Sequence, residues 1–160
     1  RPGPGAHPTD PDPVEAEVRL TDVRVLVVDD EADVREAVSR MLVQRGAQVT
    51  ALASGREVER VLAEFRPDVL LVDISMPDED GYGLIRRVRS LPPGAGGGTP
   101  ALSLTAHARD ADRARALAAG FQGHLAKPVD LGGLVAAIRA QVRAGAAAEA
   151  PAQPGDGSRG

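Results

Sequence analysis

The sequence predicts an α/β protein in which five strands and five helices alternate along a chain of 160 residues. Residues 23–28 (VRVLVV) and 68–73 (DVLLVD) are short, nearly continuous aliphatic runs, which are typical of strands buried on both faces of a sheet. Between such runs, apolar residues recur at intervals of three and four, as in amphipathic helices. This alternation with short loops predicts a doubly wound, five-stranded parallel sheet with helices on both faces.

Three further segments complete the predicted sheet. Residues 47–52 (AQVTAL) alternate in polarity, which suits a half-exposed strand at an edge of the sheet. Residues 101–105 (ALSLT) form a weaker apolar run, and residues 123–126 (GHLA) are a short candidate for the last strand.

The predicted helices follow the strands in order. Gly46 and Gly120 stand where two helices should end, and Asp130 is placed to cap the start of the last one. Residues 109–119 are rich in alanine and predict a helix with a narrow apolar face. The other four helices are marked by helically spaced apolar residues: Val34, Val38, Met41 and Leu42; Val58, Val61, Leu62 and Phe65; Leu84, Ile85 and Val88; and Leu131, Leu134, Val135, Ile138 and Val142.

Composition excludes several classes of function. The net charge is -4 and the pI is about 5.4, which argues against a general DNA-binding or membrane-binding surface. The chain has no cysteine, so disulfides, thiolate metal sites and cysteine nucleophiles are all excluded. Its apolar runs are much shorter than the roughly 20 residues that span a bilayer.

Two tails of different composition flank the predicted domain. Residues 1–20 hold five of the 13 prolines, and residues 145–160 are mostly alanine, glycine and proline. Such segments bury too little apolar surface to offset the entropy lost when they become ordered. We therefore expect a disordered proline-rich linker over 1–20, a single domain over 21–144 and a disordered tail over 145–160.

Acidic residues follow two of the predicted strands. Asp29, Asp30 and Glu31 come directly after the first run, and Asp73 ends the third. The carboxyl ends of parallel strands meet at one edge of the sheet, where ligands bind. A single aspartate at a strand end is more often a turn residue or a helix cap. Carboxylates that lie close together repel one another unless a cation neutralises their charge. Carboxylate oxygens are ligands that fit Mg²⁺.

The fourth and fifth runs end in Thr105 and in Lys127, the only lysine of the chain. A hydroxyl and an ammonium that face a metal form a pocket for a phosphoryl group. With these residues in place, the segments VLVVDDEADVRE, DVLLVDISMPDEDGYGLI, LSLTA and HLAKPVD resemble, in order, the motifs of bacterial response-regulator receiver domains. The resemblance covers roughly residues 22–143 and implies a flavodoxin-like three-layer sandwich with strand order 2-1-3-4-5.

The resemblance also implies a role for each site residue. Asp73 would be the phosphoacceptor, and Lys127 and Thr105 would contact the transferred group. The bond between Lys127 and Pro128 would be cis, and Gly81 would help to shape the loop after the phosphoacceptor. The phosphoryl donor would be a histidine kinase or its phosphohistidine domain. Such a domain is not an ordinary enzyme, although it catalyses its own phosphorylation and dephosphorylation. The implied Mg²⁺ ligands are Asp29, Asp30, Asp73 and the backbone carbonyl of Ser75.

Two histidines stand at positions that modulate receiver domains. His124 occupies the position three before the lysine, where the family usually has Tyr or Phe as a switch residue. His107 and Ser75 lie two residues past the threonine and the phosphoacceptor, where side chains influence the lifetime of the phosphate. An equally good interpretation is that His107 and His124 are solvated residues of the rim.

Two other functions remain as alternatives. A phosphatase of the haloacid dehalogenase type also combines Asp, Thr, Lys and Mg²⁺, but its first strand should end in D-x-D rather than in Asp29, Asp30 and Glu31. A pseudo-receiver would bind partners without being phosphorylated, and the presence of all five active positions disfavours it.

The segments that flank the domain in sequence predict the kind of protein that carries it. A receiver without an effector is either a stand-alone shuttle or one module of a hybrid sensor histidine kinase. We favour the hybrid kinase, because the chain starts with Arg1 and residues 1–20 resemble an interdomain linker. We expect a cytoplasmic monomer that contacts neither DNA nor membrane.

Overall fold

The computed structural model describes residues 19–106 and 109–149, which form a parallel sheet covered by helices on both faces. All neighbouring strands are parallel, and their order is β2-β1-β3-β4-β5. The predicted fold and strand order are therefore confirmed, and so are the edge positions of the second and fifth strands. The strands are β1 (Arg24–Val28), β2 (Gln48–Leu52), β3 (Val69–Asp73), β4 (Ala101–Thr105) and β5 (Gly123–Ala126).

Each strand is followed by an α-helix. Asp130 caps the last helix as predicted, because its Oδ2 accepts a hydrogen bond from the Gly133 N–H at 2.9 Å. Among the described residues, no helix is both long enough and apolar enough to cross a membrane. The helices are α1 (Ala32–Gln44), α2 (Val58–Phe65), α3 (Gly81–Arg89), α4 (Asp110–Ala119) and α5 (Leu131–Glu149).

The sheet has an apolar core on each face, since successive side chains of a strand point to opposite sides. One core combines alternate residues of β1 and β3 with α2, α3 and α4, and the other combines the remaining residues with α1 and α5. All five residues of β3 are buried. This strand lies in the middle of the sheet, so its last residue, Asp73, lies at the centre of the carboxyl edge.

The described structure extends a few residues past each end of the predicted domain, 21–144. Leu20, predicted to belong to the linker, is 1% exposed and packs into the core beside α1 and α5. At the other end, α5 continues to Glu149, although the disordered tail was predicted from residue 145. Alanine is the strongest helix former, so the alanines at 146–148 extend a helix that packing has already nucleated. The rest of the predicted linker and tail, 1–18 and 150–160, lies outside the described residues.

Candidate functional site

The three aspartates of the predicted site meet at the carboxyl edge of the sheet. Asp29 and Asp30 follow β1, Asp73 ends β3, and these strands are paired with Val28 opposite Val72. Each aspartate offers a carboxylate oxygen, and these three oxygens lie within 4.8 Å of one another. Asp29 and Asp73 are 0% and 2% exposed, whereas Asp30 is exposed. The sheet thus places two buried carboxylates and one exposed carboxylate side by side.

The two buried aspartates are oriented by the backbone that follows them. Asp29 Oδ1 accepts a hydrogen bond from the Glu31 N–H at 2.8 Å, and Asp73 Oδ1 accepts one from the Ser75 N–H at 3.1 Å. Aspartate favours this hydrogen bond to the residue two positions later when it stands at a turn. The local sequence therefore orients both side chains, and one oxygen of each carboxylate can still bind something else.

Lys127, at the end of β5, supplies positive charge to this cluster. Its Nζ lies 2.8 Å from Glu31 Oε1, 3.0 Å from Asp29 Oδ2 and 3.3 Å from Asp73 Oδ1. Burial disfavours the charged ammonium, but the hydrogen bond to Glu31 and the negative charges of Asp29 and Asp73 raise the pKa of Lys127 above its ordinary value. The side chain therefore remains cationic at neutral pH.

The second oxygen of Asp29 has an ion pair but no hydrogen bond among the described residues. Asp29 Oδ2 is buried, and no donor among the described residues reaches it with hydrogen-bond geometry, so its contact with Lys127 is an ion pair only. A buried carboxylate oxygen costs free energy unless it is paired. One ammonium cannot neutralise Asp29, Asp30, Glu31 and Asp73 together. An all-oxygen donor set with surplus negative charge fits Mg²⁺.

The pKa of the Asp73 carboxyl lies above its ordinary value. Burial raises the pKa of the Asp73 carboxyl to about 6, and the negative charge of Asp29 adds to the rise. The hydrogen bond from Ser75 and the charge of Lys127 act in the opposite direction. At neutral pH, Asp73 is therefore mostly ionised, which is the form in which a carboxylate acts as a nucleophile.

An open cleft of about 510 Å³ leads to Asp73. The Lys127–Pro128 peptide bond beside it is cis, as the resemblance implied. Ser75 is exposed at the rim, so a group on another molecule can approach Asp73 from this side. The cleft is lined by Asp30, Glu31, Val34, Asp73, Ser75, Ala106, Lys127 and Pro128.

Thr105 and His124 lie in the wall of a second, smaller pocket. The only tyrosine of the chain, Tyr82, also lines this pocket and is 6% exposed. The Arg115 guanidinium lies over the Tyr82 ring, 4.1 Å from its centre. Helix α3 thus brings an aromatic ring to this pocket, where β5 contributes His124. The predicted modulating residue His107 lies outside the described residues.

Two contacts of the site had no role in the sequence analysis. Glu31 was noted only as an acidic neighbour, yet it makes the shortest contact with Lys127. Arg35 Nη1 donates to the backbone carbonyl of Asp29 at 2.8 Å. Arg35 stands four residues after Glu31, which is about one helical turn. An arginine at this distance from an acidic cluster is the sequence signal that could have indicated a contact between them.

Gly81 keeps the loop of residues 74–80 close to the end of β3. Its N–H donates to the Ile74 carbonyl at 2.9 Å. A Cβ at residue 81 would lie 2.6 Å from the backbone oxygen of Asp73 and 2.9 Å from Ile74 Cα. Neither atom can rotate away, so a side chain at this position would displace the loop.

We expect Gly81→Ala to lower the free energy of unfolding by about 1–3 kcal/mol, the usual cost of overpacking. Urea denaturation measures the change. Gly83→Ala, two residues later on α3, is the matched control, because its Cβ would approach other atoms no closer than 3.5 Å. Equal stability of Gly81→Ala and the wild type would show that the loop has more room than these distances allow.

The fold and this cleft together define a receiver-type signalling domain. The chain belongs to the response regulator receiver domain family, whose model matches residues 25–139. This range contains the whole sheet except Arg24, the first residue of β1, and every residue that lines the cleft. The predicted family is confirmed, and the assignment removes the haloacid dehalogenase alternative. It makes the chain a receiver domain of the kind found in two-component response regulators.

Two curated proteins are similar to this chain and differ in how much of their own length it covers. An uncharacterised 14.6 kDa protein of Leptolyngbya boryana is 44% identical over 111 residues, which are 69% of this chain and 83% of that protein. The response regulator MprA of Mycolicibacterium vanbaalenii is 40% identical over 121 residues, which are 76% of this chain and 51% of MprA. The chain therefore spans about half the length of MprA.

Solved structures show the same fold. A putative response regulator from Chloroflexus aurantiacus has a TM-score of 0.71 and 32% identity, covering 77% of this chain and 99% of that one. The receiver domain of the sensor histidine kinase PA1611 from Pseudomonas aeruginosa has a TM-score of 0.69 and 30% identity, with coverage of 77% and 99%. That receiver domain holds a magnesium ion coordinated in its active-site cleft.

Proposed function

We propose that this chain is a phosphoacceptor module of a two-component phosphorelay, in which Asp73 takes a phosphoryl group from a histidine kinase or its phosphohistidine domain. One observation carries the proposal. The Asp73 carboxylate is buried, has a pKa of about 6 and lies 3.3 Å from the Lys127 ammonium beside an open cleft. This combination supplies an ionised nucleophile, a fixed positive charge and a path by which a partner can approach.

The residues of the chain act by position and charge. A carboxylate oxygen of Asp73 forms a bond to phosphorus while the bond from phosphorus to the donor histidine nitrogen breaks. The electron pair of that bond stays on the nitrogen. Lys127 stands beside the carboxylate and balances the charge of the incoming phosphoryl oxygens. Thr105 donates its hydroxyl to one of these oxygens. Water later attacks the phosphorus, the bond from phosphorus to the Asp73 oxygen breaks, and inorganic phosphate leaves with Asp73 again a free carboxylate.

We propose Asp29, Asp30, Asp73 and the backbone carbonyl of Ser75 as the residues that hold Mg²⁺. When bound, the ion supplies positive charge that offsets the three carboxylates and the phosphoryl oxygens. The buried Oδ2 of Asp29 supports this assignment, because it has an ion pair with Lys127 but no hydrogen bond among the described residues. So does the magnesium ion in the cleft of the similar Pseudomonas receiver domain.

Labelling with acetyl phosphate tests the proposal. We expect the chain to gain one phosphoryl group in Mg²⁺ and none in EDTA, with mass spectrometry placing the group on Asp73. Asp73→Asn should abolish the label. Asp78→Asn removes an exposed carboxylate of the same loop and should keep it. A label on another residue would refute the assignment, and Mg²⁺ binding without any label would favour the pseudo-receiver.

We further propose that the module works in the cytoplasm as a monomer within a hybrid sensor histidine kinase, without contacting DNA or membrane. The similarity to the receiver domain of a Pseudomonas sensor histidine kinase supports the kinase context. The full open reading frame tests it, since a kinase core encoded in the same gene is expected.

A further inference from the structure

Arg87 on α3 joins three segments, one of which, the loop 74–80, contributes Ser75 to the lining of the cleft. Its Nε and Nη2 donate to the two carboxylate oxygens of Glu79, at 3.2 and 2.7 Å. Its Nη1 donates to Glu59 on α2, with 2.6 and 2.5 Å to the two oxygens, and Nη2 also reaches the Gly55 carbonyl at 2.8 Å. We refer to Arg87, Glu79, Glu59 and Gly55 as the Arg87 clamp. It connects the loop 74–80, the turn before α2 and α2 itself.

The turn before α2 leaves room for this clamp. Gly55 is buried, and a Cβ at this position would lie 3.0 Å from Arg87 Nη2 and 3.1 Å from Glu79 Oε1. The side chains of Arg87, Glu59 and Glu79 are 32%, 38% and 36% exposed, so water screens their charges only in part. The planar guanidinium donates to both oxygens of a carboxylate at once, which a lysine cannot reproduce.

The loop held by the clamp carries groups of the acidic cleft. Ser75 lines the cleft and donates its N–H to Asp73 Oδ1 at 3.1 Å. Its carbonyl belongs to the proposed Mg²⁺ site. Later in the loop, Met76 is 9% exposed and packs into the core, and Glu79 is held by Arg87. The conformation of the loop therefore depends on the hydrogen bond from Gly81 to Ile74, on the apolar contact of Met76 and on the clamp.

We propose that Arg87 is a positioning residue of the phosphoryl-transfer site, which acts through Glu79 to hold the loop 74–80, and with it Ser75, in the place that Mg²⁺ binding requires. This inference rests on the proposed function. Without Arg87, the carboxylates of Glu59 and Glu79 lose their common partner, and the loop around Glu79 keeps only its contacts through Met76 and Gly81. The cost of restoring the loop then appears as weaker Mg²⁺ binding, while Asp73 and Lys127 stay intact.

The test compares Arg87→Met with Arg60→Met in the full chain. Arg60 also forms ion pairs with two glutamates, Glu57 and Glu64. Both lie within four residues of it, so these ion pairs do not connect separate segments of the chain. Isothermal titration calorimetry with MgCl₂ gives the dissociation constant of Mg²⁺ for each variant. For Arg87→Met we expect binding about tenfold weaker, as for loss of other groups that orient metal ligands. Labelling by acetyl phosphate should be slow at low Mg²⁺ and recover at saturating Mg²⁺. Arg60→Met should match the wild type in both measurements.

A double variant separates positioning from stability. Arg87→Met also destabilises the fold, because two glutamates are left without their cation. Adding Glu59→Gln removes that repulsion but does not restore the contact of the loop with Arg87. We expect Arg87→Met/Glu59→Gln to melt at a higher temperature than Arg87→Met and to keep its weak Mg²⁺ binding. Mg²⁺ binding that returns to the wild-type strength together with the gain in stability would overturn the inference.

The same measurements distinguish a failure of the proposed function from a failure of the role proposed for Arg87. A wild-type chain that neither binds Mg²⁺ nor accepts the label would refute the proposed function. A wild type that does both, together with an Arg87→Met variant that binds Mg²⁺ as Arg60→Met does, would refute the role of the clamp alone.

Discussion

Lys127→Met is expected to slow the labelling of Asp73 by acetyl phosphate about 100-fold or more, the usual effect of removing one preorganised charge from a reacting centre. The ammonium lies 3.3 Å from Asp73 Oδ1, and its side chain is only 15% exposed. Water cannot fully replace a positive charge in such a place. Labelling time courses at saturating Mg²⁺ measure the effect.

The same substitution should also destabilise the fold. Asp29 and Asp73 would be left buried beside each other without the ammonium, and breaking a buried ion pair costs about 3–5 kcal/mol. Asp73 relieves part of this cost by taking up a proton, so we expect a loss near the lower end of that range. Arg56→Met is the matched control, because it removes the cation of an exposed ion pair with Asp78 at 3.7 Å. A labelling rate for Lys127→Met equal to that of the wild type would contradict the role of the charge.

Asp73→Asn is expected to stabilise the fold at about pH 7.5 in EDTA, by up to about 3 kcal/mol. The carboxyl has a pKa of about 6 in the folded chain, against an ordinary value of 3.8. Keeping it ionised inside the protein therefore costs free energy, and asparagine has the same shape without the charge. Urea denaturation of both proteins measures the difference.

The pH dependence follows from the sign of this shift. Between about pH 4 and pH 6 the folded chain binds a proton at Asp73 that the unfolded chain has released, so stability falls as the pH rises through this window. The advantage of Asp73→Asn should therefore be complete above about pH 6 and vanish near pH 4. Mg²⁺ should stabilise the wild type, since it binds only the folded site, and should stabilise the variant less, since the variant lacks one of the three carboxylates. A variant less stable than the wild type in EDTA at neutral pH would refute this account.

The architecture of the sheet could be predicted because it depends on patterns of nearby residues. Continuous aliphatic runs marked β1 and β3 as buried on both faces, and the alternating segment at 47–52 marked an edge strand. The order of the strands came from the resemblance. The convergence of Asp29 and Asp73 follows from parallel pairing, and their orientation follows from hydrogen bonds to residues only two positions away.

Only the tertiary structure decided which charges meet. Lys127 contacts Glu31 across 96 residues of sequence, and Arg87 reaches Glu59 across 28. No local pattern links such pairs, because each contact depends on how a helix or loop packs against the sheet. The same holds for Leu20, whose place in the core depends on the surface that α1 and α5 leave open to it. The sequence by itself therefore determined the sheet, its acidic edge and the family, while the pairing of Lys127 and the Arg87 clamp required three-dimensional packing.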